Sequence, residues 1–451
     1  MAGDRPAGDP GPAWPPAVPL RTVAREWGRI GCIGFGGPPA HIALLRQLCV
    51  EDRGWLPASE FEDGVAACNL MPGPASTQLA IFCAWRLRGP AGALVGGLCF
   101  IVPGLMVILG LSAVFLAQHP PGWIHGAADG AGAAVPAVAV AAAIGLAPAS
   151  WRRLVGPSAG GSAGSPASAD GGSDGRGRSR WRGGARRRRV LAEPALGAER
   201  RSGGPGGSPP RRFRWVLYAL AGGVAAATVG PWLVLVLAAC GLAEVVATTG
   251  WPWAARPGRP GLVLPLAALA VPATGGLLAV AWVAFKVGAL SYGGGFVIIP
   301  LMQHDAVHTY HWMTAAQFLD AVALGQVTPG PVVQTVAVVG YAAHGVGGGL
   351  LASAVAFTPS FLFVLLGGRY FDRLRANQRV QAFLTGAGPA AIGAIAGAAI
   401  PLALALAHLW QFGLLALAAL WLVGLRRGVV SGIVGAAGLG VLAFLAGAPV
   451  G

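Results

Sequence analysis

The chain reads as an all-α polytopic membrane protein. It is expected to hold two inverted-topology repeats of about six transmembrane segments each plus a linking segment, about 13 in total, with helices broken at Gly-rich and Pro-Gly-Pro motifs. Three observations predict this. Of 451 residues, 55% are hydrophobic and only 11% charged, under half the ~25% of a soluble domain. Residues 31–92 align without a gap on residues 288–349, at an offset of 257. Arginine-bearing loops of one repeat are arginine-free in the other. The composition excludes a disordered chain and argues against a soluble enzyme.

The repeat fixes the segments. Gly36-Gly37 matches Gly293-Gly294, Asp63 matches Asp320, and Pro72-Gly73-Pro74 matches Pro329-Gly330-Pro331. One residue is then lost, and Pro103 matches Pro359 at offset 256. Repeat 1 gives segments near 20–48, 63–86, 91–117, 123–147, 213–229 and 231–249. Repeat 2 gives 275–303, 320–343, 347–367, 382–406, 408–424 and 429–447. The domain division is a disordered N-terminus (1–19), a first repeat (20–250) interrupted by an Arg-rich loop (150–212), a linker (251–274) and a second repeat (275–451). No signal peptide is visible in residues 1–19, which lack an apolar core.

Charge sets the expected sidedness. Residues 150–214 carry 15 Arg and 4 acidic residues, +11 of the net +15. In repeat 1, arginines occupy the second–third loop (Arg86, Arg88) and the fourth–fifth loop. In repeat 2 they occupy the third–fourth (Arg369, Arg373, Arg375, Arg379) and fifth–sixth (Arg426, Arg427). Equivalent loops then face opposite sides, the pattern of inverted repeats in transporters. Inversion needs one more crossing, from 261–274. That piece is short for a span of ~20 residues, so it merges with the next segment, or the first segment of each repeat is re-entrant. The N-terminus and the Arg-rich loop are expected in the cytoplasm and the C-terminus outside.

Two paired motifs interrupt the helices: "GFGGPPAH" (34–41) with "SYGGGFV" (291–297), and "NLMPGPASTQ" (69–78) with "QVTPGPVVQT" (326–335). Proline removes backbone donors, and broken backbone at membrane depth survives only inside protein or along a cavity. Half-helices beyond such breaks aim N–H groups at an anion. Gln78, Asn69, Gln326, Thr328 and Gln334 flank the breaks as polar partners. Lys286, the only lysine, lies in an apolar stretch opposite Arg29 of repeat 1. The pair reads as cations attracting a divalent oxyanion; the plain alternative is a membrane-end anchor. Asp63, Asp320, Glu244 and Asp129 are candidate proton carriers, with helix-dipole acids as the alternative for the first two. His41 and His304 read as interfacial, and the six cysteines as small buried hydrophobes.

The segment 185–189, "ARRRR", lies in a Gly/Ser/Pro-rich stretch. It reads as a cytoplasmic loop near anionic lipid rather than a nucleic-acid site. No Walker A sequence, nucleophile arrangement or metal-ligand spacing is present, so neither an ATP-driven pump nor an enzyme is expected, and no cofactor or metal.

The chain resembles the chromate ion transporter family in its two-domain long form. Phe35-Gly36-Gly37-Pro38 with Ala40-His41, and Pro72-Gly73-Pro74 with Thr77-Gln78, carry the likeness in the first half. Gly293-Gly294-Gly295 through Pro300, and Gly325-Gln326 with Thr328-Pro329-Gly330-Pro331, carry it in the second. The resemblance implies a cytoplasmic-membrane protein that exports chromate on the proton motive force and confers chromate resistance. It also implies two halves of opposite orientation. The Arg-rich insertion departs from the pattern, as do Leu70 and Met71 where repeat 2 has Val327 and Thr328. The expected chromate site is near the bilayer midplane. It uses N–H groups at the two Pro-Gly-Pro breaks and the Gly-rich turns, with Lys286 and Arg29 offsetting charge. Transport of sulfate or another tetrahedral oxyanion fits the same residues. So, in another class, does a membrane scaffold with a basic recruitment loop. Oligomeric state stays open, a homo-oligomer included.

Overall fold

Apolar sequence interrupted by Gly and Pro folds here into short helices that turn back at each interruption. The computed structural model describes residues 18–68, 73–117, 120–155, 211–228, 233–249, 275–291, 298–367 and 377–450. The expected N-terminal tail up to residue 17, residues 156–210 of the Arg-rich loop and the linking piece 261–274 lie outside them. Among the described residues the secondary structure is helical, without strands.

Repeat 1 supplies α1 (Leu20–Ile33), α2 (Pro38–Arg46), α3 (Ala58–Cys68), α4 (Ala75–Phe115), α5 (Gly122–Val155), α6 (Arg211–Thr228) and α7 (Leu233–Thr249). Repeat 2 supplies α8 (Leu277–Leu290), α9 (Ile298–Gln303), α10 (Ala315–Val327), α11 (Thr335–Gly367), α12 (Gln378–Leu404), α13 (Leu409–Ala419) and α14 (Val429–Leu445). After α2 and α9 the chain widens into matching π-helical turns, Gln47–Asp52 and His304–Thr309.

The first two predicted segments of each repeat are split at their breaks into helical hairpins. α1 has 14 residues, about 21 Å at 1.5 Å per residue, against a hydrocarbon core of ~30 Å. The chain then returns beside it: Arg53 pairs with Glu26 at 3.2 Å, and the Trp27 and Trp55 rings stack at 6.5 Å. Next, α3 lies along the start of α4, where Glu60 pairs with Arg86 and Gly64 packs on the Phe82 ring. The breaks therefore reverse the chain, a change of direction that hydropathy does not record.

Helices α4 and α11 also reverse. Arg88-Gly89 (φ/ψ −145/23, then 59/−150) and His344-Gly345 (−148/35, then 60/−153) make the same turn in both repeats. A φ near +60 with ψ near −150 is essentially open only to glycine. Each helix thus splits into a short limb (75–87, 335–343) and a long limb (90–115, 346–367) lying antiparallel. Gly92 and Gly348 let the limbs touch, against Ala84 O and Gly340 O.

Among the described residues, four helical stretches are long and apolar enough to cross a membrane: Ala75–Phe115, Gly122–Pro148, Val332–Gly367 and Gln378–Leu404. In the first and third, the part long enough to do so is the long limb. Along α6, Phe213, Leu217, Leu220 and Val224 expose an apolar stripe at helical spacing, as a lipid-facing side requires.

The repeats are intertwined. α1 packs on α4, and α8 on α11, in matching ways. But α6 and α7 of repeat 1 pack on α12 of repeat 2, while α13 and α14 pack on α5 of repeat 1. Small residues make these interfaces close. Gly222 and Gly393 meet the backbone of Ala390 and Ala219 across α6–α12, and Gly130 meets Ala436 across α5–α14. A methyl on Gly393 would overlap Ala219 O, while one on Gly145 meets nothing within 4 Å. Gly393→Ala is expected to lower the thermal midpoint in detergent, at a cost of about 1–3 kcal/mol. Gly145→Ala should leave it unchanged or raise it.

Candidate functional site

The four hairpin tips meet in two pairs, each joining one repeat to the other. The Gly73 N–H, in the first Pro-Gly-Pro break, donates to Ser291 O at the end of α8, at 2.5 Å. The Gly330 N–H, in the second break, donates to Gly34 O at the end of α1, at 3.0 Å. These are equivalent bonds at offset 257, each running from one repeat to the other. Gly73 (φ 120) and Gly330 (φ 99) both lie in the left-handed half of backbone space. The tips rest against the middle of the opposite long limb. Gln334 Nε2 donates to Ile101 O at 2.7 Å, Pro329 O abuts Gly104, and Ser360 stands by Gly73.

This geometry revises the anion donors. The sequence reading assigns the glycine N–H groups of both breaks to the anion. In the structure those groups are taken by carbonyls, and Pro74, Pro329 and Pro331 bring no N–H. What remains at the two breaks is side-chain donors and first-turn N–H groups of the following helices, while the Gly-rich turn of repeat 2 lies outside the described residues. α4 begins at Ala75 behind Pro74 with no side-chain cap, and Ala75, Ser76, Thr77 and Gln78 are all buried. Such a buried helix start usually needs a partner. Thr77 Oγ1, Ser291 Oγ, Ser360 Oγ and Gln326 Nε2 are buried with no hydrogen-bond partner among the described residues. An unmet buried hydroxyl costs about 1–3 kcal/mol, so each of these groups asks for a partner.

The other predicted residues separate. Phe35 is exposed; Gly36 and Gly37 form the α1–α2 turn with φ of 98 and 72, and Pro38 opens α2. Pro72, Gly293, Gly294 and Gly295 lie outside the described residues. Gln78 Nε2 stands against Gly73. Thr328 Oγ1 donates to Leu324 O at 2.8 Å, closing its own helix. His41 is fully buried, contrary to the interfacial expectation. Its Nε2 lies 2.9 Å from Gly34 O and its Nδ1 3.3 Å from Ser76 Oγ, so it ties the first tip to the start of α4. Cys32 is exposed rather than buried.

The cations behave differently from one another. Arg29 has a side chain 60% exposed and pairs with Glu26 at 3.5 Å, in the manner of an anchor. Lys286 is buried, and its Nζ lies 2.5 Å from Asp305 Oδ2. An approaching anion meets this ion pair, not a bare cation. Sequence reasoning missed Asp305; its available signal was an acid at a position where repeat 1 has Leu48.

The carboxylates also sort themselves. Asp63 is exposed. Glu244 is buried between Arg214 (3.2 Å) and the Tyr218 hydroxyl (3.2 Å). Asp320 on α10 and Asp129 on α5 face one small cavity of about 20 Å³, with His408 and Gln411 in its wall. Asp320 also borders an apolar cavity of about 140 Å³ between α5, α10 and α14.

Comparison with known proteins identifies the family. The family model described as chromate transporter matches residues 21–245 and 278–442. The chromate transport protein of Cupriavidus metallidurans is 30% identical over 86% of this chain and 84% of its own. The probable chromate transport protein of Synechococcus elongatus is 26% identical over 91% and 92%. The chromate transport protein of Pseudomonas aeruginosa is 28% identical over 87% and 83%. No solved structure matches the chain. The chain belongs to the chromate transporter family, a family of transporters, and is a multi-pass membrane protein.

The Lys286–Asp305 pair gives a direct test. Lys286→Ala alone strands a buried carboxylate and is expected to cost about 3–5 kcal/mol. Replacing both, Lys286→Met with Asp305→Leu, should recover most of that loss in a thermal melt. Failure to recover would show that the lysine acts elsewhere than on Asp305.

Proposed function

We propose that this member of the chromate transporter family exports chromate across the cytoplasmic membrane, driven by the proton motive force, and so confers chromate resistance. One observation carries the reading: four broken hairpin tips, two from each repeat, are bonded in two cross-repeat pairs, each pair against a long apolar limb. Broken backbone at such depth is the way secondary transporters build a substrate site. Chromate is a tetrahedral dianion that accepts hydrogen bonds on every oxygen, and the tips gather buried hydroxyls, amides and helix starts. The names of the curated relatives support chromate as the anion.

Proton coupling is assigned to Asp320 with Asp129. Two carboxyls facing one cavity can hold a proton between them, and intramembrane acids of this kind serve proton relays. Glu244 has a cationic partner and a hydroxyl donor instead, which suits a structural role. The reversed arginine pattern supports opposite orientation of the repeats, with the N-terminus and the Arg-rich loop in the cytoplasm and the C-terminus outside.

Labelled chromate should accumulate in everted vesicles, and an uncoupler should abolish the accumulation. Uptake indifferent to the uncoupler would remove the proton coupling, and no uptake would remove the export reading. Asp320→Asn should cut proton-driven uptake at least about tenfold, whereas Asp63→Asn should leave it near wild type. Deleting residues 156–210 should leave resistance intact, whereas a recruitment scaffold would lose its function.

A further inference from the structure

The two Pro-Gly-Pro tips are related by the internal repeat, yet they differ where an anion would touch them. Offset 257 sets Gly34 opposite Ser291, Gly73 opposite Gly330, and Thr77 opposite Gln334; offset 256 sets Gly104 opposite Ser360. At the repeat-2 tip the crossing bond ends on Gly34, and the long limb of α4 presents Gly104. Pro329 O and the Gln334 amide fill the space that a side chain at 104 would take. Gln334 also bonds Ile101 O at 2.7 Å. The protein's own groups plug this tip.

At the repeat-1 tip the crossing bond ends on Ser291, and the long limb of α11 presents Ser360. Ser360 Oγ stands 3.4 Å from the place of a Gly73 Cβ. Thr77 stands where repeat 2 has Gln334, and the amide at this tip is that of Gln78, whose Nε2 lies against Gly73. The Thr77, Ser291 and Ser360 hydroxyls are fully enclosed and have no hydrogen-bond partner among the described residues. The uncapped start of α4 opens at the same turn, with Gln78 Nε2 beside it. A helix start carries about half a positive charge.

We propose that the repeat-1 tip alone is the oxyanion half-site, with Ser360 and Ser291 donating their hydroxyls to a tetrahedral dianion. The repeat-2 tip is its structural mirror, closed by Gln334. This inference deepens the oxyanion-transport reading and rests on it. The pairing of glycine in one repeat with serine in the other makes the site one-sided. Each hydroxyl gives one proton to an oxygen of the anion, and hydrogen bonds to a charged acceptor are the stronger kind.

The test uses the purified full-length protein in detergent, titrated with chromate and separately with sulfate. Thermal shift reads binding, and uptake is measured alongside in everted vesicles. Ser360→Ala and Ser291→Ala should each weaken anion binding by about tenfold or more. Their melting points without anion should stay at or above wild type, because the removed hydroxyl was unpaired. Ser112→Ala, which removes a hydroxyl bonded within its own helix to Ile108 O, should not change binding. Gln334→Ala should lower the melting point and leave affinity within about twofold, since it removes a hydrogen bond to protein rather than to anion. Unchanged affinity in both serine variants, or no binding of either anion by the wild type, would overturn the half-site. Saturable binding without uptake would keep the half-site and overturn the transport reading. Uptake with both serine variants unaffected would do the reverse.

Discussion

Two backbone hydrogen bonds hold the middle of this protein together: Gly73 N–H to Ser291 O, and Gly330 N–H to Gly34 O. Each begins in a Pro-Gly-Pro break of one repeat and ends at the close of the first helix of the other. They follow from a simple constraint. A helix broken away from water leaves polar groups that must find partners in the protein. The proline pairs remove donors from each break, and the one glycine N–H left is bonded across the repeat boundary. Neither repeat can therefore satisfy its own tip.

The outer helices repeat that dependence on a larger scale. α6 and α7 lean on α12, while α13 and α14 lean on α5. Gly222, Gly393, Gly130 and Gly440 keep those helices in backbone contact. The inner tips and the outer helices are thus exchanged between repeats in the same sense. Motion of one half against the other must act on both sets of contacts.

Much of this was legible in the sequence. Equal spacing located the four break motifs and paired Asp63 with Asp320 and Arg29 with Lys286. Re-entry of the first segment was one of two options the sequence left open; the hairpins of the second segments were not legible, because a run of apolar residues looks the same whether the chain continues or turns back. Nor was the fate of each charged residue. Lys286 and Arg29 are equivalent by alignment, but only Lys286 is buried, facing an Asp305 that repeat 1 replaces with Leu48. Asp129 and Asp320 lie far apart in the chain, and only packing of α5 on α10 brings them to one cavity. Ser360 reads as an ordinary small residue in a span until the tip of the other repeat is placed against it.

The central claim is that an oxyanion binds where the crossed tips meet. An experimental structure of the full-length protein with chromate or sulfate bound tests it most directly. The account predicts tetrahedral density beside Gly73, within hydrogen-bond distance of Ser360 Oγ and the first turn of α4. Density seated instead at the Lys286–Asp305 pair, or on the surface at Arg29, would contradict it.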